Sequence, residues 1–144
     1  MQKPDNIARI LDANINRAKE GLRVCEEIAR FILEDKNVTS RIKTIRHRLH
    51  TLSAKLFKTV ILLESRNSPS DIGRDIYASE LERKNISDIF FANIQRVKES
   101  IRVLEEFAKI VNRNCTIALK RLRYEIYDIE KKAVKKIAAL SNPR

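Results

Sequence analysis

Asn14, Arg17, Lys19, Glu20, Arg23, Glu26 and Glu27 return in the same order and register as Asn93, Arg96, Lys98, Glu99, Arg102, Glu105 and Glu106. Guanidinium groups grip phosphate through two parallel hydrogen bonds, and an asparagine amide can orient the bound oxyanion. Carboxylates beside them can hold Mg²⁺ or accept a proton. The string therefore suits a phosphate-bearing ligand. Asn14, Arg17, Asn93 and Arg96 would hold it, and Glu20 and Glu99 would take metal or base roles. A weaker repeat adds Arg46 and Arg123: Ile42–His47 matches Leu119–Tyr124 at an offset of 77, sharing an apolar residue, an Arg and a ring. The plainer alternative is helix-surface pairing, Lys19–Arg23–Glu27 and Glu26–Arg30, worth a few tenths of a kcal/mol per pair.

A solvated face has no need to keep residue identity between two copies. Two explanations stay open. The copies use these groups against each other across a pseudo-twofold axis, or each supplies half of one polar cleft. The unrepeated segment Glu64–Ile86 adds Asp71-Ile72-Gly73-Arg74-Asp75, two carboxylates, an Arg and a flexible Gly. Connections this long in a bundle tend to be functional. Asp71 and Arg74 join the candidates, as parts of a lid or phosphate loop; a bare linker spanning the bundle is the alternative. His47 and His50 lie three apart, but no third ligand is indicated and no metal site is expected. P-loop, GxGxxG and nucleophile-elbow motifs are absent.

These residues need helices to position them. Ala13–Arg30 and Ala92–Lys109, 79 positions apart, are identical at eleven of eighteen positions and conservatively exchanged at the rest. Ile7, Ile10, Leu11, Ile15, Ala18, Leu22, Cys25, Ala29 and Ile32 form an apolar stripe at spacings of three and four, with Asp5 or Asn6 as cap. A second helix runs from Ile42 through Leu56 to Leu63, capped by Thr39 or Ser40. The third starts near Ser87 and carries Phe90, Ile94, Val97, Ile101, Leu104 and Ala108. The fourth carries Leu119, Leu122, Ile126, Ile129, Ala133, Ile137 and Leu140. Ser65–Ser70 reads as a turn and Tyr77–Arg83 as a short helix. The expected fold is an all-α bundle, one domain over 1–144, made of two pseudo-twofold hairpins (about 5–63 and 87–140) joined by a long connection.

Composition agrees: two Gly and three Pro among 144 residues leave the helical runs unbroken. The net charge of +11 is spread evenly along the chain. That favours anionic small ligands over a dedicated nucleic-acid arm, and with few aromatics RNA binding is the weakest reading. Cys25 and Cys115 read as buried thiols in a reducing compartment. With no signal-peptide pattern and no long apolar run, a cytoplasmic protein off the membrane is expected.

The stretch Arg9–Phe31, with Ile45–Leu49, Ser65–Ile76, Phe91–Lys109 and Leu122–Lys131 in order, resembles the helical domain at the N-terminus of some thiamine-phosphate synthases. That family is described as an alternative hydroxymethylpyrimidine-phosphate kinase. The resemblance implies thiamine biosynthesis, a phosphorylated pyrimidine as ligand, and ATP with Mg²⁺ as co-reactants of a phosphotransferase. The synthase reaction itself belongs to a (β/α)₈ barrel, whose βα alternation this chain lacks. Thiamine-phosphate synthase is thus an expected partner, and a non-catalytic docking or dimerisation module is the alternative role. Self-association stays open.

Overall fold

The computed structural model describes residues 4–75 and 81–140. Five helices hold them: α1 (Pro4–Phe31), α2 (Lys36–Leu56), α3 (Thr59–Ser65), α4 (Ile86–Val111) and α5 (Arg113–Ala139), with a 3-10 turn at Ser68–Ser70. No strand occurs among the described residues. The protein is an all-α bundle of two helical hairpins. Most of the helix expected at Tyr77–Arg83 lies outside the described residues.

The helix ends follow local chemistry. Pro4 opens α1, where its missing N–H costs nothing, so Asp5 and Asn6 fall inside the first turn and not at its cap. α1 stops at Phe31, which leaves Ile32 half out of the core. Glu34 then takes a left-handed conformation, φ 52°, and the Asp35 N–H reaches back to the Ala29 carbonyl at 3.0 Å. Asp35, and not Thr39 or Ser40, caps α2: its Oδ1 accepts the Val38 N–H at 2.9 Å. Asn85 caps α4 in the same way. Asn112 ends α4 and starts α5 at once, so the second hairpin turns on one residue.

The second helix does not run to Leu63. It breaks at Phe57, whose backbone is extended, and α3 begins on a new heading. The shift in phase buries Leu62 and exposes Leu63. Within the bundle α2 packs on α1 and α5, whereas α3 packs on α1. The break therefore carries the chain off the bundle edge and across the first half of α1.

Around the bundle the order is α1, α2, α5, α4, with neighbours in contact. α1 and α4 pack most extensively and run antiparallel. Gly21 lies against Val97 and the Asn93 carbonyl, and the Cys25 thiol points at the Phe90 carbonyl, 3.8 Å away. The repeat relation then sets the pseudo-twofold axis near Ala18 and Val97. Leu11, Leu22, Ile94, Ile101, Ile45 and Ile126 fill the shared core. Burial there, with Glu130 nearby, pushes the Cys25 thiol up to about 12, and burial also raises the Cys115 thiol. Both cysteines are free and buried, as the sequence suggests.

Candidate functional site

The first half of α1 and the segment after α3 enclose a cleft of about 510 Å³. Asn6, Arg9, Ala13, Asn16 and Arg17 reach it from one face of α1, at helical spacings of three and four. The far wall is Arg66, Asn67, Ser68 and Asp71. A bidentate ion pair fastens that wall: Arg66 Nε and Nη2 each donate to Asp12 at 2.9 Å. Asp12 is buried, its charge holds the Arg66 guanidinium above its ordinary pKa, and its Oδ1 also accepts the Asn16 amide at 3.3 Å. Asp71 Oδ1 accepts the Gly73 N–H at 2.9 Å, and the Arg74 N–H bonds to the Asp71 carbonyl.

Asn14 is buried, and its amide donates to the Ile10 carbonyl at 2.8 Å. Its Oδ1 is then turned to Arg17, 3.5 Å from Nη1. The exposed Arg17 has no carboxylate within ion-pair distance among the described residues. Asn14, Arg17 and Asp71, all picked out from sequence, thus meet in one cleft. Arg74 lies beside it on the exposed loop and not among its lining residues.

The second copy does not complete this cleft. Asn93 makes the same back-bond, to the Ile89 carbonyl at 2.8 Å, and Arg96 is exposed. Yet no α4 residue lines the cleft. The antiparallel register explains the separation: Asn93 stands about nine residues along α1 from Asn14, roughly 13 Å at 1.5 Å per residue. Of the two explanations open from the sequence, a single cleft shared by both copies is not what the described residues form.

Arg46 and Arg123 are also corrected as free phosphate clamps. Arg46 donates Nε to Glu26 at 3.2 Å, and Arg123 is bonded twice to Glu105. Glu26 and Glu105 are buried, not on the helix surface where a Glu26–Arg30 pair would set the first of them. A charge excluded from water must be paired, and each Arg supplies the pairing from the neighbouring helix. Of the expected surface pairs Arg23–Glu27 forms, at 3.2 Å. Glu20 and Glu99 are exposed and line two further grooves, one in each hairpin.

Arg9, Asp12, Arg66, Asn67 and Ser68 belong to the cleft and were not singled out from sequence. One signal was available: where the first copy has Arg9 and Asp12, the second has Asp88 and Phe91. Beside the repeated Asn14 and Arg17, the cleft thus holds polar groups that the repeat does not copy.

Comparison with known proteins gives a consistent match. The ThiD2 family matches residues 9–132. Thiamine-phosphate synthase of Rhodopirellula baltica is 38% identical over 136 residues, covering 94% of this chain and 36% of that protein. The thiamine-phosphate synthases of Synechocystis and Nostoc punctiforme are 39% and 40% identical over 88% and 86% of the chain, and 36% and 34% of their own lengths. The chain thus spans about a third of the length of these curated relatives. No solved structure matches it. Among the described residues no helix is long and apolar enough to cross a membrane.

Proposed function

The chain belongs to the ThiD2 family, and on that premise we propose that it serves thiamine biosynthesis by binding hydroxymethylpyrimidine phosphate in the α1 cleft and phosphorylating it from ATP. One observation carries this reading: Arg17, oriented by buried Asn14, and Asp71 face one cavity that the Arg66–Asp12 pair holds closed on one side.

The reaction forms a bond between an oxygen of the pyrimidine's phosphate and the terminal phosphorus of ATP. It breaks the bond from that phosphorus to the bridging oxygen, so ADP leaves and a diphosphate remains. Such a transfer asks for positioning and charge neutralisation more than covalent chemistry. Arg17 neutralises the acceptor phosphate, and Asn14 fixes where its guanidinium points. Asn16, Asn67 and Ser68 supply amide and hydroxyl groups that match a pyrimidine's ring nitrogens and exocyclic groups. Asp71, exposed on the loop, fits the one or two carboxylates that a phosphate-bound Mg²⁺ takes from protein. When bound, that ion supplies further charge neutralisation on the phosphates. Arg74 and Arg96 lie outside the cleft and have no step in this scheme.

The test is incubation of the chain with ATP, Mg²⁺ and the monophosphate, with thermal shifts for each ligand alone. Diphosphate formation that falls at least about tenfold in Arg17→Ala is expected, the loss of one charged contact. No product together with no thermal shift overturns both catalysis and binding.

The longer relatives favour a second reading, a module that docks on thiamine-phosphate synthase. It predicts that Arg17→Ala still supports growth without thiamine.

A further inference from the structure

The repeat sets two grooves side by side for comparison, one between α1 and α2 and one between α4 and α5. In the second, Lys98 Nζ is bonded to both oxygens of Glu130, at 2.9 and 3.2 Å, and lies over the Tyr127 ring. That groove neutralises itself. At the matching positions the first hairpin has Ser53 in place of Glu130 and His50 in place of Tyr127. Lys19, the counterpart of Lys98, therefore has no carboxylate partner among the described residues. Its Nζ lies 3.1 Å from His50 Nδ1. Burial lowers the Lys19 pKa, and the nearby Arg46 charge adds to that. These groups line a cavity of about 680 Å³ with Glu20 and Arg23.

Arg46 and Arg23 are paired with Glu26 and Glu27, so Lys19, bonded only to the His50 imidazole, is the one cation lining this half-enclosed space without a carboxylate among the described residues, and an entering anion would supply its counter-charge. The groove also abuts the first cleft: Glu20 lies one helical turn from both Asn16 and Arg17, which puts the two cavities end to end on α1. We propose that the Lys19–Arg46–His50 groove is a second anion subsite, taking the polyphosphate chain of the nucleotide whose terminal phosphoryl group is delivered to the first cleft. This rests on the phosphotransfer reading above. The groove's preference for a polyanion stands on its own geometry and can be measured apart from that reading.

Tripolyphosphate, without metal, is the probe. It is titrated into the full chain while the histidine ring ¹H–¹⁵N signals and the affinity are followed. Ser53→Glu installs the carboxylate that the second hairpin already carries, and Lys19→Gln removes the ammonium. Each should weaken binding at least about tenfold, one charged contact's worth. Lys98→Gln should change it less than about twofold, and the His50 signals should move on titration. Unchanged tripolyphosphate affinity in Lys19→Gln, or a fixed His50 signal, overturns the proposal. Ser53 is buried, so a melting curve accompanies that variant, and Lys19→Gln keeps the test decisive if Ser53→Glu unfolds. Lys19-dependent tripolyphosphate binding with no diphosphate product would retain the subsite and remove the transfer reading. Product formation that survives Lys19→Gln with unchanged ATP dependence would do the reverse.

Discussion

Arg123→Ala separates a structural arginine from a phosphate clamp. Glu105 is 2% exposed, and Arg123 is its main partner, with Arg102 3.7 Å off. The pairing holds the Arg123 pKa well above its ordinary value. Truncating one member of a buried pair strands the other, which costs about 3–5 kcal/mol. The Arg102 guanidinium can swing in, so the lower end, about 3 kcal/mol, is expected. Against a total stability of about 5–15 kcal/mol that is a large loss. At this chain length it lowers the melting point by roughly 10 °C, at about 3 °C per kcal/mol. Arg46→Ala should cost less, about 1–2 kcal/mol, because Glu26 keeps Arg23 at 3.3 Å. Urea and thermal melts measure both, with affinity for the phosphorylated pyrimidine measured on the folded fraction. Arg123→Met with Glu105→Leu should recover most of the stability, since apolar replacement of a whole buried pair is often neutral. A melting point within about 2 °C of wild type, coupled with lost ligand affinity, would refute the reasoning and return Arg123 to the binding site.

Two further outcomes test the scaffold. Gly21→Ala should destabilise: the added Cβ would stand 2.7 Å from Val97 Cγ2 and 3.0 Å from the Asn93 carbonyl oxygen. The overpacking cost, about 1–3 kcal/mol, outweighs the roughly 1 kcal/mol gained in helix propensity, and adding Val97→Ala should not recover the melting point in full, because the Asn93 carbonyl contact remains and Val97 is itself buried. Asp35→Ala should lose about 1 kcal/mol at neutral pH through its cap. The Lys136 ammonium and the Val38 N–H hold the folded Asp35 pKa below its ordinary value. Its contribution is therefore complete above the usual carboxylate range, about pH 4, and is lost as pH falls through the depressed folded value. Melts of wild type and Asp35→Ala should converge in strong acid, and a gap that widened there would contradict the assignment.

The helices were legible in the sequence wherever one stripe faced one core. Leu11, Leu22, Ile94 and Ile101 are buried as their periodicity requires. The break at Phe57 was not legible, because Leu52, Leu56 and Leu63 keep a helical spacing through it. What decides there is that α2 has reached the bundle's edge, a fact of packing. Glu26 and Glu105 were misread for a similar reason. Their residue type assigns these carboxylates to a helix surface, and the partner that makes each burial tolerable comes from the next helix. Of the site, Arg17, Asn14 and Asp71 could be chosen by chemistry. Asp12 and Arg66 could not, since their meaning lies in a contact across 54 positions.

Identity between the copies marks a structural contact at some positions, whereas Arg17 and Lys19 recur as Arg96 and Lys98 in different surroundings. The structural contacts are made twice: Asn14 and Asn93 each bond the carbonyl four residues back, and Glu26 and Glu105 each hold an Arg from the next helix. A pseudo-twofold bundle needs these at both ends, so both ends keep them. The residues that differ shape the cavities. Arg9 and Asp12 face Asp88 and Phe91 across the repeat, and Ser53 and His50 face Glu130 and Tyr127. In each case the first hairpin has a group that lines or braces a cleft or leaves a cation without a partner, and the second has an apolar or neutralising one. Among the described residues the first hairpin is followed by a short helix, α3, packed back on α1. Ligand chemistry should therefore concentrate at the α1 end of the bundle. Exchanging Arg9 or His50 for its second-copy counterpart should weaken binding with less damage to folding than altering Glu26 or Glu105, the buried carboxylates that the copies share.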